Sequence, residues 1–529
     1  MRIHVRLPVF VAVLGLSITW TATGAASSVA RAAQTPDPNA TLRVSASITP
    51  SQWDPHSGSS DAVDYSFMGP VYDRLLELKG DLTFGPMLAT SYKLSPDKLS
   101  LTLKLRTDVT FPDGTPFDAA AVVANINYAK GKNNSLIASS LATITNVIAV
   151  DPSTVRFDFS VDATNFPLLL AKTIGISGMV SPKALLDPAT LKTTPAGSGP
   201  YKLASQTQDR AIYEKVSSYW DPKLLKRLPQ HVEIIGIADD NARVSALQSG
   251  QLDAVALQGP LANIATVVDG KNIKSYTALQ SNRLLQVQYN FKNPALAMPD
   301  VRKALSMATD DLSLAKTICQ GTCIASSQPF TKGGFGYNSK VKVIKYNPVA
   351  AKALLAKAGF PNGFNFNMEM ANIPLFVNLA TAIQAEWAQI GVKVTVVPVL
   401  SSTVGTEWRS GKYDGFLLAT NANPDGSPII STFFAPNTPL SGAFQPFGGD
   451  PQVTTLESKA SLLPLGSKQR NAAYQEIAAY LGANPASTII AIWPPQYLYK
   501  TSVTGVSNTS FSKLTTVWDV RPLSVTKKA

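Results

Sequence analysis

Two short segments of the chain nearly repeat each other: Ser249-Gly250-Gln251-Leu252-Asp253-Ala254 and Ser410-Gly411-Lys412-Tyr413-Asp414-Gly415. Each joins an upstream helical pattern to a downstream apolar run. The glycine can take the left-handed conformation that ends a helix. Leu252 or Tyr413 then starts a run, Ala254-Val255-Ala256-Leu257 or Phe416-Leu417-Leu418-Ala419, suited to a buried strand. A helix, a glycine stop and a strand on either side of the midpoint predict two similarly built α/β lobes with a cleft between them.

The amino terminus constrains the compartment. Arg2, His4 and Arg6 precede an apolar stretch from Leu7 to Trp20, and small residues follow to Ala30-Arg31-Ala32-Ala33. This is the layout of a secretory signal over residues 1–33, with cleavage expected near Ala32 or Ala33. The stretch is shorter than the roughly 20 residues of a spanning helix. A lipid anchor would need a cysteine just after the signal, and the only cysteines are Cys319 and Cys323. The sequence therefore predicts an exported, freely diffusing protein of a periplasm-like space, not a lipoprotein.

Composition removes several function classes. The formal charge is +12, and loss of Arg2, Arg6 and Arg31 with the signal leaves +9, but no dense Lys/Arg block marks a nucleic-acid surface. In an oxidising compartment the three-residue spacing of Cys319 and Cys323 predicts a small loop-closing disulfide. A zinc site would need further ligands, and His56 and His231 are the histidines left after the signal, so neither metal nor cofactor is expected. There is no Gly-x-Ser-x-Gly elbow, Walker loop or Gly-x-Gly-x-x-Gly turn. Nothing in the sequence points to an enzyme.

Local patterns fill in the lobes. Leu42, Val44, Ala46 and Ile48 alternate with polar residues as a strand, and Pro50 opens the loop Ser51 to His56. Leu99, Leu101, Leu103 and Leu105 alternate in the same way, which predicts an antiparallel sheet with one wet face. Phe111-Pro112-Asp113-Gly114 reads as a tight turn, and Asp118 as the N-cap of a helix carrying Val122, Val123, Ile126 and Ala129. Further on, Asp300 is expected to cap a helix striped by Val301, Ala304, Leu305 and Ala308. Asn347-Pro348 opens another that ends at Gly359, and a third runs through Leu379, Ile383 and Trp387 to Gly391 before the strand Val392 to Val396. The alternation of helix and strand predicts a largely parallel sheet in this lobe.

These residues, taken in order, carry a resemblance. The strand and turn Leu101 to Asp118, Gly197-Ser198-Gly199-Pro200-Tyr201, Tyr219-Trp220, Ala242 to Asp253, Asn290 with Asp300 to Asp310, Tyr346 to Gly359 and Tyr413-Asp414 follow one another. In this the chain resembles the extracytoplasmic solute-binding proteins of family 5, the oligopeptide, dipeptide and nickel receptors of ATP-binding-cassette importers. The resemblance covers nearly all of the chain after the signal. It implies an α/β, bilobal periplasmic-binding-protein-like fold (type II, cluster C) with an extra subdomain in lobe I. Lobe I would comprise residues 41–66, 199–299 and 498–529, its extra subdomain 67–198, and lobe II 300–497. The hinge would be two strands, around Tyr289 to Pro294 with Asn290 and around Trp493 to Tyr499 with Tyr497. The implied partners are a small peptide or peptide-like solute and a membrane permease with its ATPase, the receptor itself being a monomer.

In α/β sheets ligands collect beyond the carboxyl ends of the strands. Two loops qualify: Ser51, Trp53, Asp54 and His56 after the first strand, and Thr420, Asn421, Asn423 and Asp425 after Phe416 to Ala419. With Trp493 these are the candidate ligand residues. Peptide-binding relatives usually place an aspartate in the second loop to pair with the ligand's amino terminus, whereas this chain has asparagine at 421 and 423. An amide weakens that attraction, since a charge-assisted hydrogen bond is about twice as strong as a neutral one. The cargo could therefore be a non-peptide, such as glutathione, an opine, a sugar or a metal chelate. The rival from another class is a secreted hydrolase using a carboxylate pair such as Asp54 with Asp425.

Overall fold

The computed structural model describes residues 35–46, 52–57, 61–79, 83–132, 137–172, 174–257, 259, 261, 264–279, 283–400, 403–420, 427–435, 445–508 and 518–527. The chain divides into Met1–Thr35 and Pro36–Ala529, and the architecture below is that of the second unit. The expected signal, residues 1–33, lies outside the described residues.

Two large sheets organise the molecule. The first has seven strands in the order Ile273–Thr277, Gln496–Lys500, Ala254–Leu257, Thr41–Ala46, His231–Gly236, Arg210–Lys215 and Tyr201–Gln206. Thr41–Ala46 runs parallel to both of its neighbours, and the outer pairings are antiparallel. One face is covered by a cluster containing Trp53, Tyr65, Tyr213 and Trp518. The other is covered by Val244, Leu247, Leu252 and Leu261. Burial on both faces explains why Ala254–Leu257 is continuously apolar.

The second sheet has six strands in the order Ile324–Ala325, Ser487–Ile492, Leu284–Tyr289, Gly415–Ala419, Asn365–Ala371 and Lys393–Val399. It is mixed, not largely parallel. Only the last two pairings are parallel, and the first three are antiparallel. Helices Pro374–Ala388 and Val404–Arg409 supply the parallel crossovers. Leu284–Tyr289 instead arrives directly from the first lobe, and Ser487–Ile492, entered from the helix Lys468–Ala483, leads straight back to it.

The two repeated segments do the same job in each lobe. Gly250 and Gly411 adopt positive φ, 88° and 76°, at the ends of their helices. The next aspartate then clamps the neighbouring parallel strand from both sides. Asp253 donates its N–H to the Arg43 carbonyl (2.8 Å) and accepts the Arg43 N–H on its carboxylate (2.9 Å). Asp414 donates to the Asn367 carbonyl (2.9 Å) and accepts the Asn367 N–H (2.8 Å).

An antiparallel sheet of Ala89–Leu94, Ser100–Leu105, Thr154–Phe159 and Ile144–Asp151 forms a separate layer with the helix Ala119–Lys130. Leu101, Leu103 and Leu105 point into its core, while Leu99 lies before the strand and is 42% exposed. Gly114 turns the chain at φ 83°, and Asp118 caps the helix by accepting the Ala121 N–H at 2.8 Å. Asp73 ties this layer to the first lobe. Its buried carboxylate accepts from the Tyr219 hydroxyl (2.8 Å), Trp220 Nε1 (2.8 Å) and Ser198 Oγ (3.2 Å) and faces the Arg521 guanidinium at 3.6 Å.

Two details depart from the sequence reading. The helix Pro299–Met307 starts at Met298, and Asp300 sits inside its first turn, because Pro299 presets the backbone one residue earlier. The connection between the sheets is also shifted. The chain leaves the first sheet after Thr277 and enters the second at Leu284, then returns between Ile492 and Gln496. The two connectors run side by side: Ala278 N–H donates to the Pro495 carbonyl and Trp493 N–H to the Arg283 carbonyl, both at 2.8 Å. Asn290 therefore lies at the far end of Leu284–Tyr289, bonded to the Asp414 and Tyr413 carbonyls at 2.9 and 3.0 Å. Tyr497 lies within the first sheet, paired with Ala256 and Tyr276. Leu284–Tyr289 is buried at every position and hydrogen-bonded on both edges, so it is a central strand and not a connector.

Candidate functional site at the crossing between the lobes

Strand directions locate the cleft. Ala254–Leu257 ends opposite Gln496, beside the return connector, and Gly415–Ala419 ends opposite Leu285, beside the outgoing one. The carboxyl ends of the parallel strands in both lobes thus meet at the crossing. The expected second loop begins there. Thr420 is buried and occupied structurally: its N–H donates to the Leu284 carbonyl (2.8 Å) and its Oγ1 accepts the Leu284 N–H (2.9 Å). Asn421, Asn423 and Asp425 lie outside the described residues, as does Ser51.

The first loop does not line the cleft. Trp53 is fully buried, edge-on to Tyr213 at 6.1 Å, with its indole N–H on Gln206 and its carbonyl accepting the Tyr72 hydroxyl at 2.9 Å. Asp54 is also buried. It accepts from the His56 N–H (2.9 Å), Ser57 Oγ (2.8 Å) and the Tyr128 hydroxyl (2.8 Å), with Lys132 Nζ at 3.3 Å. Burial alone would raise its pKa, but these donors and the nearby His56 together hold it below the usual carboxylate value. With its oxygens committed, Asp54 is no partner for a hydrolytic carboxylate pair.

His56 completes a buried network. Its Nδ1 faces the Gly175 carbonyl and its Nε2 faces Asn125 Oδ1, each at 2.9 Å. The Asn125 amide donates to the Ala121 and Val180 carbonyls at 2.9 and 2.8 Å, and its Oδ1 accepts the Val180 N–H at 2.9 Å. These residues fasten the first loop to the extra layer. Sequence reasoning placed them in the cleft because a loop after a parallel strand normally opens there, and it could not see the helix Ala119–Lys130 packed above it. Asn125→Ala is expected to destabilise the fold by about 2–3 kcal/mol, since it orphans buried donors and acceptors at once. Urea unfolding checks this, with Thr90→Ala, at an exposed contact to the Lys104 carbonyl, as the near-neutral control.

Trp493 does sit at the crossing, 4% exposed. A guanidinium that the sequence did not single out lies on it: the Arg283 carbon is 3.9 Å from the Trp493 ring centroid. Burial draws the Arg283 pKa down to about 10, opposed by the charge of Asp240. Asp240 opens the helix Asp240–Ser249 and accepts from Arg243 Nη1 and from the Gly259 N–H, both at 2.7 Å. Gly259 follows the end of Ala254–Leu257, and a side chain there would meet the Trp493 ring at 3.9 Å. The only advance signal for Arg283 was its place just before an apolar strand.

Farther along the cleft the extra layer touches the second lobe. Asn165 Nδ2 donates to the Ser461 carbonyl at 2.6 Å, beside a cavity of about 410 Å³ lined by Phe159, Val161, Phe166 and Leu169 on one side and Pro428 and Ser431 on the other. The structure joins Cys319 and Cys323 in a disulfide whose sulfurs are buried in the core of the second lobe. Among the described residues no three His, Cys, Asp or Glu side chains are grouped to hold a metal ion. Among them, too, no helix is long and apolar enough to cross a membrane.

Two α/β lobes whose strand ends face each other across a double connection define the bilobal binding-protein class. The chain belongs to the bacterial extracellular solute-binding proteins, family 5, whose middle-region profile matches residues 83–439. It is 31% identical over 350 residues to the glutathione-binding protein GsiB of Escherichia coli K12, a match spanning 65% of this chain and 66% of that protein. The fold is that of the periplasmic binding protein DppA from Helicobacter pylori in complex with the peptide STSA. There the TM-score is 0.78 at 23% identity, covering 92% of this chain and 98% of the other. It is equally that of AgaA from A. tumefaciens R10 in complex with agropinic acid, with TM-score 0.76, 23% identity, and 93% and 99% covered.

Proposed function

We propose that this protein is the solute-binding receptor of an ATP-driven importer, capturing a peptide or peptide-like solute between its lobes and delivering it to a membrane permease. The observation that carries this reading is the meeting of both lobes' strand ends where Ala278 pairs with Pro495 and Arg283 with Trp493, in a chain of this family. Two connectors bonded side by side allow the lobes to rotate as rigid bodies about one axis, the hinge closure typical of such receptors. Relatives named for glutathione, a tetrapeptide and agropinic acid support a small solute with amide and carboxylate groups. The receptor works as a monomer, is exported by the leader at residues 1–33, diffuses freely without a lipid anchor, and holds its cargo without altering it.

Native mass spectrometry of the protein mixed with short peptides and reduced glutathione tests this. One-to-one adducts that release an unchanged ligand are expected. Cleaved ligand without a retained adduct would favour the hydrolase instead.

A further inference from the structure

We infer that Arg283, laid on Trp493 at the crossing, is the cleft's anchor for a carboxylate of the transported solute. Three observations converge on it. Arg283 Nη1 is enclosed by protein and has no hydrogen-bond partner among the described residues. The nearby acid that acts on it, Asp240, already accepts from Arg243 Nη1 and the Gly259 N–H. And the guanidinium carbon lies over the Trp493 ring, 3.9 Å from its centroid, on a segment whose carbonyl is bonded to the Trp493 N–H at 2.8 Å.

An enclosed guanidinium N–H without an acceptor is costly. The indole face stabilises the cation and fixes the plane of the fork without using any of its N–H donors. A guanidinium fork matches a carboxylate, which can accept two parallel N–H bonds. Its position matters as much as its chemistry. The connectors are the part of the molecule that both lobes share, so a group bound there lies between Gly259 of one lobe and Thr420 of the other.

The inference rests on the receptor reading and narrows its cargo to solutes bearing a carboxylate, whether a peptide carboxyl terminus or the acid groups of a glutathione-like compound. Calorimetric titration of the full chain with trialanine, trialanine amide and reduced glutathione separates these sources. For wild type, trialanine or glutathione is expected to bind, and the amide more weakly than trialanine. Arg283→Gln is expected to lose roughly 10- to 100-fold in affinity for the acid, the range for a charged hydrogen bond, and to treat acid and amide alike. Arg283→Lys should recover part of the preference, because it keeps the charge but not the fork. Matching thermal melts show that the variants fold.

If wild type and Arg283→Gln bind the same probe with equal affinity, the anchor is wrong while the receptor stands. If wild type binds none of the three, the peptide-receptor reading fails and the anchor fails with it.

Discussion

Asp73→Ala is expected to lower the unfolding free energy by about 3–5 kcal/mol, the range for removing one partner of a buried ion pair. The carboxylate is fully buried and takes hydrogen bonds from Tyr219, Trp220 and Ser198, three donors that alanine would orphan together. Arg521 would suffer most. Its Nη2 donates to the Gly69 and Tyr72 carbonyls at 2.7 and 2.8 Å, so it cannot swing out to water without breaking those bonds. Burial alone would pull its pKa down, and the carboxylates of Asp519 and Asp73 hold it up. Without Asp73 a buried cation loses one of its two acids. Urea unfolding followed by Trp220 fluorescence measures the loss, and a change under about 1 kcal/mol would place the site among ordinary surface pairs. Adding Arg521→Met to Asp73→Ala is expected to recover part of the stability, since it removes the uncompensated charge.

Glu369→Gln is expected to stabilise the protein, and by more as the pH rises. Glu369 lies in the strand Asn365–Ala371, fully buried, where the Trp408 backbone N–H favours its charged form but is outweighed. Burial first, and the charge of Glu407 second, push its pKa up from 4.5 to about 8. Below pH 4.5 the group is protonated in both states and costs nothing; from there to pH 8 the unfolded chain releases a proton that the native state keeps, so stability falls with rising pH, and above pH 8 the loss is complete. At about 1.4 kcal/mol per pH unit the full penalty is of order 5 kcal/mol. Glutamine has no charge to lose. Its advantage over wild type should be small near pH 5 and several kcal/mol near pH 9. An advantage equal at both would mean that the carboxyl is ionised in the native state.

What could be read in advance was what is encoded locally. Gly250 and Gly411 end their helices, Asp118 and Asn347 accept the N–H groups expected of N-caps, and Gly114 turns as its neighbours demand, because each depends on a few adjacent residues. The paired roles of Asp253 and Asp414 were half visible, as a repeat whose purpose appeared only with the neighbouring strand in place. Strand direction in the second sheet was not legible. Leu284–Tyr289 and Ser487–Ile492 carry the same apolar signal whether they run parallel or antiparallel, and only the route of the chain decides. The site was read least well for the same reason. A loop such as Trp53 to His56 is open or buried according to what packs on it from far away in sequence, and here Asn125 and Gly175 cover it. Arg283 escaped notice because no motif surrounds it; the missing hydrogen-bond partner that distinguishes it exists only in three dimensions.

The central claim is that two lobes close on a solute about the crossing where Ala278 pairs with Pro495 and Arg283 with Trp493. Small-angle scattering of the protein, alone and with a saturating amount of whichever probe binds in calorimetry, tests it most directly. The account predicts a smaller radius of gyration in the bound sample and a return to the free value once the ligand is dialysed away. Identical profiles at full occupancy would contradict it.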